Sequence, residues 1–257
     1  MSPAKTIGEL REELQGPRRP FDTFYGKHVM RRGSIYLTVL FSRTAASPTL
    51  VTFLSVLAGL CGVGRLWTGD WIGGVLWVNG WYLLDHVDGE LARLTKKTSA
   101  TGLFFDTLAN AIVQPLAFYA LGAGLARSGG GAWQQIGALA AYGSLMMLVV
   151  PYCTAETLMN WKGPNGRAEK TAPAMPMNVS FPKRAFVFIH QLVTFPVILP
   201  LLTLATLGFY WLDARWLENV LRGTLAFYAA AVTVVWTARV VHIVLTRKID
   251  TLAGERA

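Results

Sequence analysis

The chain has few charged residues and few cysteines for its length. Only 15% of its 257 residues are Asp, Glu, Lys or Arg, against about 25% in an average soluble domain. The two cysteines, Cys61 and Cys153, lie in apolar segments without metal-type spacing. A disulfide scaffold and a zinc site are therefore excluded, and packing roles are expected. The first 20 residues contain no apolar run, so no cleavable signal peptide is predicted.

Apolar residues make up 53% of the chain and concentrate in six long stretches. At about 1.5 Å per helical residue, each stretch is long enough to cross a hydrocarbon core of about 30 Å. The stretches cover residues 48–67, 71–92, 102–126, 133–161, 183–209 and 217–245. The sequence therefore predicts an all-α integral membrane protein with six transmembrane helices.

Positive residues are distributed unevenly along this predicted bundle. With the N-terminus inside, the inner segments carry 20 of the 24 Lys and Arg residues, and the outer segments keep only Arg65, Arg127, Arg215 and Arg222. By the positive-inside rule, both ends are expected in the cytoplasm, in a membrane such as the bacterial inner membrane. The excess of Lys and Arg on the inner side, together with attraction to anionic lipid, accounts for the net charge of +9. A nucleic-acid partner is therefore not needed to explain this charge.

Composition divides the chain into four parts. Residues 1–20 are charged and polar and are predicted to form a loosely ordered cytoplasmic tail. Residues 21–46 mix aromatic and basic residues, the pattern of an amphipathic helix that lies in the membrane interface; the alternative is that this helix only caps the bundle. Residues 47–250 hold the six transmembrane helices, and residues 251–257 form a cytoplasmic C-terminal tail.

Three carboxylates stand in or beside apolar helices, where ionised groups are costly and rarely idle. Asp85 and Asp88 are three residues apart on the predicted second helix, and Asp106 opens the third helix after a short turn. An antiparallel hairpin would bring all three to one level near the cytoplasmic interface. Oxygen donors of this kind suit a hard divalent cation such as Mg²⁺ or Mn²⁺. The alternative is a buried ion-pair network, which one nearby arginine would leave unbalanced.

Small residues beside these acids favour a phosphate ligand. Gly89 and Ala92 on the second helix, and Gly102 at the start of the third, leave room for a ligand to approach the backbone. Arg93 supplies a cation suited to phosphate. A hard metal, an arginine and a groove of small residues together describe a pyrophosphate site.

The acids and small residues together resemble the signature of the CDP-alcohol phosphotransferase family, also called CDP-alcohol phosphatidyltransferases. In that signature D-x-x-D-G-x-x-A-R is followed, after eight residues, by G-x-x-x-D-x-x-x-D. The chain matches every fixed position, spacing included, except the last. Six membrane helices with cytoplasmic ends also agree with this family.

The resemblance implies an activity and the roles of the site residues. Family members cleave the pyrophosphate of a CDP-linked alcohol, often CDP-diacylglycerol, release CMP and join the phospho-alcohol to a hydroxyl acceptor, as in phospholipid synthesis. It implies that the three acids hold Mg²⁺ or Mn²⁺ against the pyrophosphate, while the small residues and Arg93 surround the cytidine diphosphate. It also implies a homodimer whose active site faces the cytoplasm.

The last signature position departs from the family. The family has there an aspartate credited with deprotonating the acceptor, whereas this chain has Asn110, whose amide cannot act as a general base. Asn110 and Asp106 are the candidate catalytic positions. Three explanations stay open: another base, an acceptor that needs none, or a catalytically weak chain, either natural or with its aspartate replaced to trap substrate. The titratable candidates for another base are His28, His86, Glu156 and His190.

Two further polar residues are candidates for substrate binding. Thr52 matches the threonine of a Pro-Asn-x-x-Thr pattern frequent in the first helix of the family, although Thr49 replaces the asparagine. Arg239, in the predicted sixth helix, is a candidate for binding a phosphate or carboxylate of the acceptor. The alternatives for Arg239 are an ion pair with Glu156 or a snorkelling position at the interface.

Three functions follow from these patterns. The leading one is a metal-dependent CDP-alcohol phosphotransferase. The second is a catalytically impaired or non-catalytic member that still binds the CDP-alcohol. The third is a cation-binding transporter that uses the same acids.

Overall fold

The described part of the chain is built from helices. The structure is a computed structural model that describes residues 6–16, 23–160, 195–209 and 214–246, together with residue 249. Within these ranges there is no β-strand, so the predicted all-α fold is confirmed. A π-helical turn, Gly26–Met30, leads into the second of the α-helices. In chain order these are α1 (Ile7–Gln15), α2 (Arg31–Ser42), α3 (Pro48–Thr68), α4 (Trp71–Leu94), α5 (Ala100–Gly129), α6 (Ala132–Asn160), α7 (Phe195–Phe209) and α8 (Ala214–Leu245).

Four of the described helices are long and apolar enough to cross a membrane. They are α3, α5, α6 and the part of α8 from Arg215 to Leu245. α4 has 24 residues, but its C-terminal half carries four charged side chains. α7 contributes 15 described residues to the predicted fifth span, and the rest of that span lies outside the described residues. The membrane character of the fold is therefore supported, and the count of six spans stays a prediction.

The outer surface of these helices is largely apolar. Large side chains such as Phe53, Leu57 and Phe104 are exposed on it. An extended apolar exterior is the surface that a bilayer can cover. Cys61 and Cys153 share this exterior, because both are unpaired and exposed. The packing role predicted for the two cysteines is therefore wrong.

Glycines allow the membrane helices to approach each other closely. Gly59 of α3 lies against Val113 of α5 and Trp81 of α4. Gly122 of α5 lies against Gly137 of α6, and a Cβ atom at Gly122 would be only 2.6 Å from the Gly137 Cα. Small residues at such crossings are a general means of packing helices in membranes.

The two helices that carry the acids share α3 as a neighbour. α3 packs along both α4 and α5, whereas α4 and α5 hardly approach each other directly. The short turn between α4 and α5 exists, and Lys96 closes it with a left-handed φ of 56°. The predicted hairpin with adjacent inner ends is confirmed, because Asn110 Nδ2 of α5 donates to Asp85 Oδ1 of α4 at 3.2 Å.

The N-terminal segment contains a capped helix, which corrects the prediction of a loose tail. Thr6 and Glu9 form a capping box at the start of α1, in which Thr6 Oγ1 accepts from Glu9 N at 3.3 Å and Glu9 Oε2 accepts from Thr6 N at 2.7 Å. Leu10 and Leu14 of α1 pack with Ile35 of α2, and all three are buried. The Thr-x-x-Glu spacing is the sequence signal that indicates this helix.

The next segment is helical over residues 24–42. One side of it contacts the bundle, where Tyr25 Oη donates to Asn79 Oδ1 of α4 at 2.6 Å. The other side exposes Phe24 and Tyr36. The predicted helix therefore caps the bundle, and its position in a membrane interface stays a prediction.

The close approach of α5 and α6 gives a test of the fold. We expect Gly122→Ala to lower the free energy of unfolding by about 1–3 kcal/mol, because the added methyl group must push the two backbones apart. Thermal unfolding in detergent measures the change. Gly80→Ala is the matched control, because a Cβ atom at Gly80 meets nothing within 4 Å. Equal melting temperatures for the two variants would show that α5 and α6 do not pack in this way.

Candidate active site between α4 and α5

The three acids predicted as metal ligands lie close together. Asp85 and Asp88 stand one turn apart on α4; Asp88 is only 6% exposed and Asp85 is half-buried. The Asp85 carboxyl group lies within hydrogen-bonding reach of Asp106 on α5 and close to Asp88. The space between α4 and α5 is therefore strongly acidic.

Asp88 is held from α3. Thr52 Oγ1 donates to Asp88 Oδ2 at 2.7 Å. Arg93, further along α4, is near enough to Asp88 to offset part of its negative charge. The candidate site thus includes Thr52 and Arg93 beside the acids.

Asn110 joins the two helices at the centre of the cluster. Its Nδ2 group donates to Asp85 Oδ1 at 3.2 Å, to the Asp106 carbonyl oxygen at 2.9 Å and to Asp106 Oδ1 at 3.3 Å. Its carbonyl oxygen accepts from Gln114 Nε2 at 2.9 Å. Both ends of the amide are therefore engaged, and an aspartate here would lose the N–H donor that contacts the two carboxylates.

The small residues of the signature lie at the same level of the bundle. Gly89, Ala92 and Gly102 are all partly buried. The Arg93 guanidinium lies over Gly89, since a Cβ atom there would be 3.4 Å from Nη1. The Gly102 N–H group donates to Ser99 Oγ at 3.0 Å and caps α5. Gly89 therefore provides the space in which the guanidinium lies.

Arg239 lies near the C-terminal end of α8 and is partly buried, while Glu156 is exposed on α6. Acceptor binding, pairing with Glu156 and snorkelling all stay predictions for Arg239.

Two of the candidates for another general base, His86 and His28, pack against aromatic side chains. The Nδ1 atom of His86 lies 2.8 Å from the Tyr82 carbonyl oxygen, and its ring packs edge-on against the Tyr82 ring. His28 packs against Phe24 in the N-terminal segment. His190 lies outside the described residues.

Sequence reasoning missed one buried acid of α4. Glu90 is fully buried, and its carboxylate has partners on both N-terminal helices, α1 and α2. Gln15 Nε2 donates to it at 3.0 Å, Ser34 Oγ at 2.7 Å and Thr38 Oγ1 at 2.9 Å, and Arg31 lies 3.6 Å away. The available signal was a fourth carboxylate in an apolar helix, between Asp88 and Arg93, together with hydroxyl-bearing residues in α2.

The donor set fits a hard divalent cation. Among the residues with described positions, no group of three His, Cys, Asp or Glu side chains already has a metal-binding arrangement. The clustered donors are nevertheless carboxylate oxygens, the ligands that Mg²⁺ and Mn²⁺ prefer. Asp85 and Asp106 also lie close enough to repel each other when both are ionised, and both contact the Asn110 amide. A cation would relieve that repulsion.

The fold and the site define a class of membrane-embedded transferase. A family model for CDP-alcohol phosphatidyltransferase matches residues 45–246, well over half of the 257 residues. The chain belongs to the CDP-alcohol phosphatidyltransferase family, and the resemblance seen in the sequence is confirmed. No curated protein sequence matches the chain.

The Asn110 contacts predict how the site responds to added charge. We expect Asn110→Asp to lower the free energy of unfolding without divalent cations by roughly 1–3 kcal/mol, because a donor becomes a third carboxylate beside Asp85 and Asp106. Added Mg²⁺ should raise the melting temperature of this variant more than that of the original chain. Thermal unfolding with EDTA and with Mg²⁺ measures both effects.

Asn160→Asp is the control, because Asn160 is exposed at the end of α6. If the two variants respond alike to EDTA and Mg²⁺, Asn110 does not lie beside the acids.

Proposed function

We propose that the protein is a metal-dependent CDP-alcohol phosphotransferase. It transfers the phospho-alcohol of a CDP-linked donor, such as CDP-diacylglycerol, to a hydroxyl acceptor and releases CMP. The observation that supports this most directly is the cluster of Asp85, Asp88 and Asp106 between α4 and α5, with Thr52 and Arg93 beside it. The proposal is more specific than family membership, because it assigns a role to each of these side chains.

The donor binds through Arg93 and the small residues of α4. A guanidinium presents a planar fork of N–H donors that matches phosphate oxygens. The Arg93 guanidinium lies over Gly89, where any side chain would compete with it for space. Ala92 and Gly102 place no bulky side chain beside it, so a pyrophosphate can approach the helices.

Asp85, Asp88 and Asp106 would hold a divalent cation, Mg²⁺ or Mn²⁺. When bound, this ion would neutralise negative charge on the pyrophosphate and on the departing CMP. Thr52 and Asn110 orient the carboxylates by hydrogen bonds, Thr52 to Asp88 and Asn110 to the other two. Fixed carboxylates reduce the reorganisation needed during the reaction.

The chemical step replaces the phosphoanhydride bond of the donor with a phosphoester bond to the acceptor. The acceptor oxygen forms a bond to the phosphorus that carries the alcohol, and the bond from this phosphorus to the CMP oxygen breaks. The proton of the acceptor hydroxyl passes to one of the two carboxylates that contact Asn110. Because the Asn110 amide is engaged at both ends, it orients these groups and does not accept the proton.

A second candidate is a member of the family that binds the CDP-alcohol without turnover. The observation that favours it is the same amide, whose N–H groups already occupy the carboxylates that would take the proton. The family match supports either candidate over a cation transporter.

The proposal includes a cytoplasm-facing site in a membrane such as the bacterial inner membrane. Lys96 and Lys97 follow the C-terminal end of α4, the half of the helix that carries Asp85 and Asp88. Cations on this side of the bundle are those that the positive-inside rule assigns to the cytoplasm. A homodimer is proposed from the family resemblance.

The role of Asp88 can be tested by CMP release. We expect Asp88→Asn to reduce CMP release from CDP-diacylglycerol by at least about a hundredfold, because the amide removes a charge from the cation and pyrophosphate site. The assay uses protein in lipid with Mg²⁺ and a panel of polyol, amino-alcohol and sugar-phosphate acceptors. Asp70→Asn is the control, because Asp70 pairs with Arg65 in an exposed turn. Full activity of Asp88→Asn would refute the assignment.

The same assay separates the two candidate functions at Asn110. We expect the original chain to release CMP and Asn110→Asp to release it faster, because the aspartate adds a basic group beside the acceptor. If only Asn110→Asp releases CMP, the original chain is a binding protein that has lost turnover. The acceptor that supports release identifies the second substrate.

A further inference from the structure

Glu90 is held in a way that apolar packing does not require. It is fully buried, and its carboxylate accepts from Gln15 of α1 and from Ser34 and Thr38 of α2. The Arg31 guanidinium, 3.6 Å away and 8% exposed, balances its charge. Burying such a group contributes little net stability compared with apolar side chains of the same size, but it fixes the geometry of the elements that meet there.

Apolar contacts already join the N-terminal helices to each other. Leu10, Leu14 and Ile35 form a buried cluster, with Leu94 of α4 against it. Contacts of this kind are not directional, so they allow α1 to slide or rotate. The hydrogen bond from Gln15 Nε2 to Glu90 is directional, and Gln15 Nε2 also donates to the Arg31 carbonyl oxygen at 2.8 Å. Gln15 therefore sets the position of the C-terminal end of α1.

That end of α1 also contacts the proposed phosphate-binding arginine. The carbonyl oxygen of Leu14, next to Gln15, accepts from Arg93 Nε at 2.9 Å. Glu90 and Arg93 lie three residues apart on α4, so one turn of α4 contacts two consecutive residues of α1. The hydrogen bond engages Nε and thereby fixes the rotation of the guanidinium that lies over Gly89.

We propose that Glu90 is a positioning residue for substrate binding: through Gln15 it fixes the Leu14 carbonyl group, which orients the Arg93 guanidinium toward the pyrophosphate of the donor. The inference rests on the proposed function, since it assumes that Arg93 binds the CDP moiety. It gives α1 a part in the site, although α1 carries no residue of the family signature. Removal of the α1 contact should weaken nucleotide binding only while Arg93 is present.

A double-mutant cycle tests this dependence. The affinity for CDP in the presence of Mg²⁺ is measured by calorimetry for the original chain, Gln15→Leu, Arg93→Met and the double variant. We expect Gln15→Leu to weaken CDP binding about two- to tenfold, the effect of one hydrogen bond, and to have no effect in the Arg93→Met background. If the two effects multiply independently, Gln15 does not act through Arg93 and the inference is wrong.

Two further variants keep the test decisive. Ser34→Ala removes a donor to Glu90 from α2 and leaves the α1 contacts in place. We expect it to lower the melting temperature but to keep the original CDP affinity; a loss of affinity equal to that of Gln15→Leu would overturn the inference. Gln15→Ala, which removes the donor to Glu90 without adding a branched side chain, replaces Gln15→Leu in the cycle if that variant does not fold.

The failure of this inference differs from failure of the proposed function. If the original chain binds CDP and releases CMP but the effects in the cycle are independent, only the positioning role is wrong. If the original chain neither binds CDP nor releases CMP, the proposed function fails and the positioning role fails with it.

Discussion

The structure depends on how an apolar helix bundle accommodates four carboxylates on one helix and its neighbour. A buried carboxylate is stable only when donors or cations compensate for the water it has lost. Glu90 obtains these partners entirely from the N-terminal helices. Asp88 has Thr52 and the nearby Arg93, whereas Asp85 and Asp106 share Asn110. α4 thus carries Glu90, which has a full set of hydrogen-bond partners, beside Asp85 and Asp88, which have fewer partners and are the proposed ligands of a cation.

α3 is central to the bundle. α4 and α5 make few direct contacts with each other, and Gly59 lets α3 pack closely against both. α3 also supplies Thr52 to Asp88. α3 carries none of the acids of the signature. It nevertheless packs against both helices that carry them and orients one of the carboxylates.

Much of this could be predicted from the sequence, because long apolar runs and charges within them are local signals. The starts of α3 and α5 follow from Pro48 and the capping residue Ser99, and the acids indicated the candidate site. The position of α3 between α4 and α5 could not be predicted, since periodicity does not specify which helices pack together. α1 was missed because its short apolar face gains stability only against Ile35 and Leu94.

The amide at position 110 also changes the charge of the whole site. With asparagine there, one divalent cation leaves the three nearby aspartates with a formal charge of −1; a fourth carboxylate would leave −2. Repulsion between like charges is strong where water is largely excluded. Under the proposed function, a second substrate that carries its own phosphate or carboxylate group would therefore be repelled less than beside a complete set of four aspartates.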